Sequence, residues 1–247
     1  MRRFFVEKEL SVNQNIILEN EDYNHIINVL RFKQNDELIF CNGDGFDYNG
    51  LLTQINKRNC IFNITSKTEN NSEAKTQVDV FQALVKGEKF ELISQKLTEL
   101  GVNELVPFLS EFVQVKEHTT KLNRLEKISI EAVKQCGRCR PLKISKILNF
   151  NEVIEKLQQY DLVVFAYEKS SNEFQYDKIK DYYNKKVAII IGSEGGFSVS
   201  EEKQILNLQN VQEISLGKRI LRAETANICL TGAIMCLLNE WRWKWKL

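Results

Sequence analysis

Apolar and polar positions change their rhythm once along the chain, close to residue 70. Before it, short runs of strand-forming residues at Arg2–Val6, Glu37–Phe40, Phe46–Ile55 and Cys60–Thr65 are separated by turn signals. Asn42-Gly43-Asp44-Gly45 is a strong hairpin turn. Between the first two strands, Asp22 is placed to cap a short helix through His25, Ile26, Val29 and Leu30. Short strands with one small helix predict a compact β-barrel over residues 1–70. Lys67 to Thr76 is polar, contains Asn70-Asn71-Ser72 and reads as a linker.

After it, strands alternate with helices. Val78–Leu84 is a strand, and Phe90, Ile93, Leu97 and Leu100 line one face of a helix that Gly101 ends. Glu104–Phe108 is a strand, followed by a helix through Leu122, Leu125, Ile128, Ala132 and Val133 and another from Glu152 to Tyr160. Asp161–Tyr167 and Val187–Ile191 are apolar at nearly every position, the mark of strands buried on both faces. A further short strand at Ile214 precedes a helix through Asn239. The alternation predicts an α/β domain over residues 74–247, a mostly parallel sheet with helices on both faces. Since chains rarely knot, the pattern alone leads to a plain Rossmann-like sheet.

The densest chemistry lies where the strand ending at Ile191 meets Gly192-Ser193-Glu194-Gly195-Gly196-Phe197-Ser198. Ser198 and Glu201 fit a capping box, so a helix starts there. The three glycines allow a tight turn and close approach of backbone to a ligand, at the strand-to-helix junction where α/β sheets collect ligands. The stretch is no P-loop, does not fit Gly-x-Gly-x-x-Gly, and has Ile191 where a nucleophile elbow needs glycine. The competing reading is an ordinary strand-to-helix turn.

A second stretch shifts the balance: Ile214-Ser215-Leu216-Gly217-Lys218-Arg219-Ile220-Leu221-Arg222-Ala223-Glu224-Thr225-Ala226. Together the two loops resemble those of the SPOUT methyltransferases, and most closely the bacterial 16S ribosomal RNA (uridine-N3) methyltransferase family. That family reads Ile-Gly-Pro-Glu-Gly-Gly-Phe and then Leu-Gly-x-Arg-Ile-Leu-Arg-x-Glu-Thr-Ala. The similarity extends to Tyr23–Asp36, Ala83–Val102 and Glu131–Pro141, nearly the whole chain. Two positions depart: Ser193 stands where proline is usual, and Phe112, after Ser110-Glu111, where arginine is usual.

The resemblance implies a PUA-like β-barrel that binds RNA, then a SPOUT α/β domain with a deep trefoil knot in about its C-terminal third. It implies methylation of N3 of a uridine in 16S ribosomal RNA, S-adenosyl-L-methionine as cofactor, and a homodimer. The cofactor wall is expected from Ala166, Tyr167, Ile191, Gly192, Glu194, Gly195, Gly196, Leu216, Gly217 and Leu221. Uridine N3 must lose its proton before it attacks, so Arg222 is the candidate for stabilising the anion, with Glu194 or Glu224 as base or as its support. The bland reading of Glu224 is stabilisation of a helix start. The alternatives are a SPOUT enzyme acting on a ribose 2′-oxygen or a tRNA base, and an RNA-binding module without catalysis.

Charge narrows the RNA surface. Net charge is +1, so any RNA surface is a local patch. Arg2, Arg3, Lys89, Arg138, Arg140, Lys218 and Arg219 are the candidate RNA contacts. Phe4 and Phe5 beside Arg2 and Arg3 admit either stacking on RNA or burial in the barrel. The tail Trp241-Arg-Trp-Lys-Trp-Lys-Leu247 interleaves rings with cations and suits RNA or a dimer face.

Cys136 and Cys139 have the spacing of a zinc or redox pair, but His25, His118 and scattered cysteines supply no clear remaining ligands. No metal is expected, and Cys229 and Cys236, seven apart on the last helix, are expected in the core. The N-terminal stretch lacks the apolar run of a signal peptide, and Ile228–Leu238 is too short to span a bilayer. The expected compartment is the cytoplasm.

Overall fold

The computed structural model of the chain describes residues 2–116, 120–170 and 176–241. His118 and residues 242–247 of the aromatic and basic tail lie outside the described residues. The chain forms two compact units, Met1–Glu73 with Ile130–Pro141, and Ala74–Ser129 with Leu142–Leu247.

The first unit is a curled, barrel-like sheet of β1 (Arg3–Phe5), β2 (Asn15–Glu19), β3 (Glu37–Cys41), β4 (Phe46–Ile55) and β5 (Asn59–Glu69). The strands lie in the order β1-β3-β4-β5-β2. β1 pairs parallel to β3 and the other pairs are antiparallel. Register shifts between β4 and β5 bend the ladder, as bulges do. Phe4, Phe40 and Phe62 fill the interior, their rings meeting edge-on at 6.1 and 5.2 Å. Phe4 is thus a core residue and not a stacking platform.

Three sequence expectations change here. β2 was not foreseen: Ile16 and Leu18 point inward while Ile17 is half exposed, so an apolar run hides the alternation. The helix starts earlier than Asp22, as α1 (Asn20–Tyr23) with Glu19 as its N-cap, and continues as a π-helical turn, Asn24–Val29. The polar linker is also shorter than read, because Lys67–Glu69 belongs to β5. Asn70 is buried, its amide donating to Asp47 Oδ1 at 2.9 Å and to the Gly137 carbonyl at 3.1 Å. Asn70 and Thr76 are the buried residues of this otherwise largely exposed stretch, and the hydrogen bonds of Asn70 satisfy its amide.

The second unit contains β6 (Gln77–Ala83), α2 (Gly87–Leu100), β7 (Glu104–Phe108), α3 (Leu122–Cys136), β8 (Lys143–Ile144) and α4 (Phe150–Leu157). The residues of α3 from Ile130 onward group with the first unit. Then follow β9 (Leu162–Ala166), α5 (Tyr176–Ile179), β10 (Lys186–Ile191), α6 (Val199–Leu206), β11 (Val211–Ile214) and α7 (Ala223–Leu237).

The sheet runs β11-β9-β10-β6-β7-β8 and every pairing is parallel. Alternate strand residues feed two cores. Val78, Val80, Leu162, Val164, Val187 and Ile189 pack with α2, α5 and α7. Phe81, Val163, Phe165, Ala188 and Ile190 pack with α4 and α6 on the other face. Parallel pairing brings the C-terminal ends of β11, β9, β10 and β6 side by side.

Cys229 and Cys236 share a face of α7 as expected, but that face is exposed. The helix buries Ala223, Asn227, Leu230, Thr231, Ile234 and Met235 instead, so two polar side chains occupy the core where cysteines were expected.

Candidate functional site

β10 stops because Gly192 begins a turn, closed by the Gly196 N–H donating to the Ser193 carbonyl at 3.0 Å. Ser193, standing where proline is usual, accepts from the Gly195 N–H on its hydroxyl at 3.3 Å and so braces the turn by another route. Ser198 and Glu201 form the full capping box that starts α6. Phe197 then folds back among Phe108, Phe150 and Phe165, with centroids 5.3 to 6.5 Å away.

The glycines are used in two different ways. A Cβ on Gly195 would lie 2.8 Å from the Phe112 Cβ and 3.2 Å from its carbonyl oxygen, so the close approach of Phe112 requires glycine. Gly196 (φ +68) and Gly217 (φ +95) have left-handed backbones with no atom within 4 Å of where a Cβ would stand. The first glycine is sterically packed, and the other two face open space.

Around this turn stand the neighbouring strand ends. Ala166 ends β9, and the Tyr167 N–H donates to the Ile214 carbonyl of β11 at 2.9 Å. The Tyr167 hydroxyl donates to Glu202 Oε2 at 3.2 Å, which fixes its ring against Phe165. Beyond β11, Leu216 packs on the core while Gly217 to Ile220 are exposed. Leu221 is half-buried, and Arg222 is the exposed N-cap of α7.

The charged groups meet around Lys89, from the first turn of α2. Its ammonium lies 2.6 Å from Glu194 Oε1 and 3.7 Å from Glu224 Oε2. The hydrogen bond to Glu194 raises the Lys89 pKa above its ordinary value. Burial pushes the Glu194 carboxyl up, but the bond from Lys89 and the Glu194 N–H outweigh it and leave it lowered. Glu224 Oε2 is buried and makes no hydrogen bond. The two carboxylates expected to support Arg222 converge on Lys89, and Lys89, expected on RNA phosphate, sits inside the cluster.

The remaining RNA candidates divide. Arg138, expected on RNA phosphate, is buried and bonds Glu73 Oε2 through Nε and Nη2 at 3.1 and 3.0 Å, an ion pair inside the first unit. Arg3 is held by both carboxylate oxygens of Asp47. Arg2, Arg140, Lys218 and Arg219 are exposed. His25 is exposed as well, while Cys136 is half-buried and Cys139 is a buried free thiol.

Gln82 and Asn227 escaped the sequence reading. Both are fully buried beside the glycine turn and joined by a 2.8 Å hydrogen bond. The available signal was an amide inside the strand Val78–Leu84, which is apolar apart from Asp79 and Gln82.

The parallel sheet, its glycine turns and the preceding small barrel define an RNA methyltransferase with a PUA domain. The family described as "RNA methyltransferase domain" matches residues 72–235, and "RNA methyltransferase PUA domain" matches residues 18–65. The chain belongs to the ribosomal RNA small subunit methyltransferase E family. That protein from Bacillus subtilis is 30% identical over 246 residues, covering 95% of this chain and 96% of its own. The one from Mesomycoplasma hyopneumoniae is 36% identical over 234 residues, covering 93% and 97%. A crystal structure of the Neisseria gonorrhoeae enzyme bound to S-adenosyl methionine superposes with a TM-score of 0.82 at 27% identity, covering 96% of this chain and 98% of that one.

Among the described residues no helix is long and apolar enough to cross a membrane.

Proposed function

We propose that this chain transfers a methyl group from S-adenosyl-L-methionine to N3 of a uridine in 16S ribosomal RNA of the small subunit. The observation that carries the reading is the meeting of two glycine-bearing strand-end loops with the Lys89, Glu194 and Glu224 cluster in a member of this family.

The residues present fit the cofactor. It is a cation with ammonium and hydroxyl donors, and the site offers open backbone at Gly196 and Gly217 and a buried acceptor, Glu224 Oε2, without a hydrogen bond. Ala166, Tyr167, Ile191, Gly192, Glu194, Gly195, Gly196, Leu216, Gly217 and Leu221 are the residues that would hold it. When bound, it supplies an electrophilic methyl group on a sulfonium for in-line displacement.

The chain's own work is alignment and charge. Arg222, exposed at the start of α7, is the donor for the uracil anion. Glu194 and Glu224 are the candidate proton acceptors, with Lys89 lowering the pKa of Glu194 and standing 3.7 Å from Glu224. Arg2, Arg140, Lys218 and Arg219 are the proposed RNA contacts, supported by their exposure.

The same reading divides the chain into an RNA-binding barrel over residues 1–70 and a SPOUT methyltransferase domain over residues 74–247, with its trefoil knot. It includes a homodimer, supported by the small, exposed side chains of Thr225, Cys229, Ala233 and Cys236 along one face of α7. It includes work in the cytoplasm without a metal.

The test is one incubation of the purified protein with labelled S-adenosylmethionine and unmethylated small ribosomal subunits, followed by nucleoside analysis. Labelled N3-methyluridine is the expected product. A labelled 2′-O-methyl nucleoside, or no transfer and no cofactor binding, overturns the proposal.

A further inference from the structure

The register of β6 places Gln82 opposite Ile191 of β10, the residue before the glycine turn. By strand alternation it shares the face of Val78 and Val80, the face α7 covers. A fully buried amide there is costly unless its donors and acceptor are matched. They are. Gln82 Nε2 donates to the Gly192 carbonyl at 3.0 Å and to the Ala83 carbonyl at 3.0 Å. Its Oε1 accepts from Asn227 Nδ2 at 2.8 Å.

The Gly192 carbonyl lies one residue past the last pair of the β10–β6 ladder, and the Gln82 side chain takes it up. Asn227, in the second turn of α7, is itself fully buried and follows the loop that ends at Arg222. One continuous hydrogen-bonded strap therefore runs from the first glycine loop, through a strand, to the helix that carries Arg222 and Glu224. Apolar side chains of the same volume would fill both positions without the desolvation cost. That cost goes into fixing one carbonyl.

We propose that Gln82 and Asn227 are positioning residues of the methyl-transfer site, setting the Gly192 turn against the start of α7. The inference rests on reading these loops as the cofactor wall. Neither amide takes part in chemistry; both act through Gly192 and α7.

The test compares wild type with Gln82→Met and with the Gln82→Met/Asn227→Leu pair. The pair leaves no half-satisfied amide and remains informative if the single variant does not fold. Hydrogen exchange of the cofactor-free protein should quicken in both loops, 192–197 and 215–222, with little change in the central strands. The dissociation constant for S-adenosylmethionine, measured by calorimetry, should rise about ten-fold, the worth of one hydrogen bond. Unchanged loop exchange, or a lowered melting temperature with wild-type affinity, overturns the proposal and leaves a core-packing pair. Wild-type protein that binds no cofactor would sink the cofactor reading instead, while loop exchange still decides whether the strap positions the turn.

Discussion

Lys89 and Glu194, 105 residues apart in sequence, form a 2.6 Å ion pair beside the glycine turn. The bond holds the ammonium protonated and the carboxylate ionised, since it raises one pKa and lowers the other. A phosphate-binding lysine and a catalytic support differ in what their loss does.

Lys89→Met removes the cation that lowers Glu194, so the Glu194 carboxyl titrates at higher pH. If the ionised carboxylate is needed, the acid limb of the pH–rate profile moves upward in pH while the dependence on salt is unchanged. A variant with an unmoved acid limb but a raised KM for RNA and a shallower salt dependence would return Lys89 to the phosphate contacts.

Arg222→Ala separates binding from turnover. The side chain caps no backbone group of α7, so the fold should persist. Retained affinity for S-adenosylmethionine with turnover down by roughly a hundred-fold fits a donor to a developing anion. Normal turnover removes Arg222 from the mechanism.

Gly195→Ala and Gly196→Ala probe the two kinds of glycine. The first drives a methyl group into Phe112, at 2.8 Å from its Cβ, so the turn must shift and cofactor affinity should fall. The second meets no protein atom, so its cost to the fold is the left-handed backbone alone, about 1 kcal/mol. Calorimetric affinities and melting temperatures measured together check the contrast; equal effects would mean that Phe112 yields freely.

Glu73 and Arg138 predict how the first unit responds to acid. Burial pushes the Glu73 carboxyl up, but Arg138 and the N–H groups of Arg140 and Cys139 outweigh it, leaving the folded pKa below the ordinary 4.5. The contribution of Glu73 is therefore fully present above pH 4.5 and lost as pH falls through the depressed folded value. Glu73→Gln should flatten this acid limb of the stability curve. At neutral pH it should cost about 3 kcal/mol, because the buried Arg138 loses the charge of the Glu73 carboxylate. Denaturant melts between pH 3 and 7, as rough bounds of that window, test both effects.

Much of this protein is determined locally. The strand Val187–Ile191, the capping box of Ser198 and Glu201, the helix stop at Gly101 and the Asn42–Gly45 hairpin act within a few residues, so their order was legible in the sequence. The two glycine loops could also be recognised there, because backbone freedom is a property of the residue itself. The partners of the charged and polar side chains could not. Which carboxylates Lys89 meets, that Arg138 is buried against Glu73, and that Gln82 links Gly192 to Asn227 depend on residues 65 to 145 positions apart. The same limit explains Cys229 and Cys236: their spacing defines a helix face, and only packing against the sheet decides whether that face is inside. Periodicity reports direction around an axis, while burial and charge pairing are set by what the fold brings to each side.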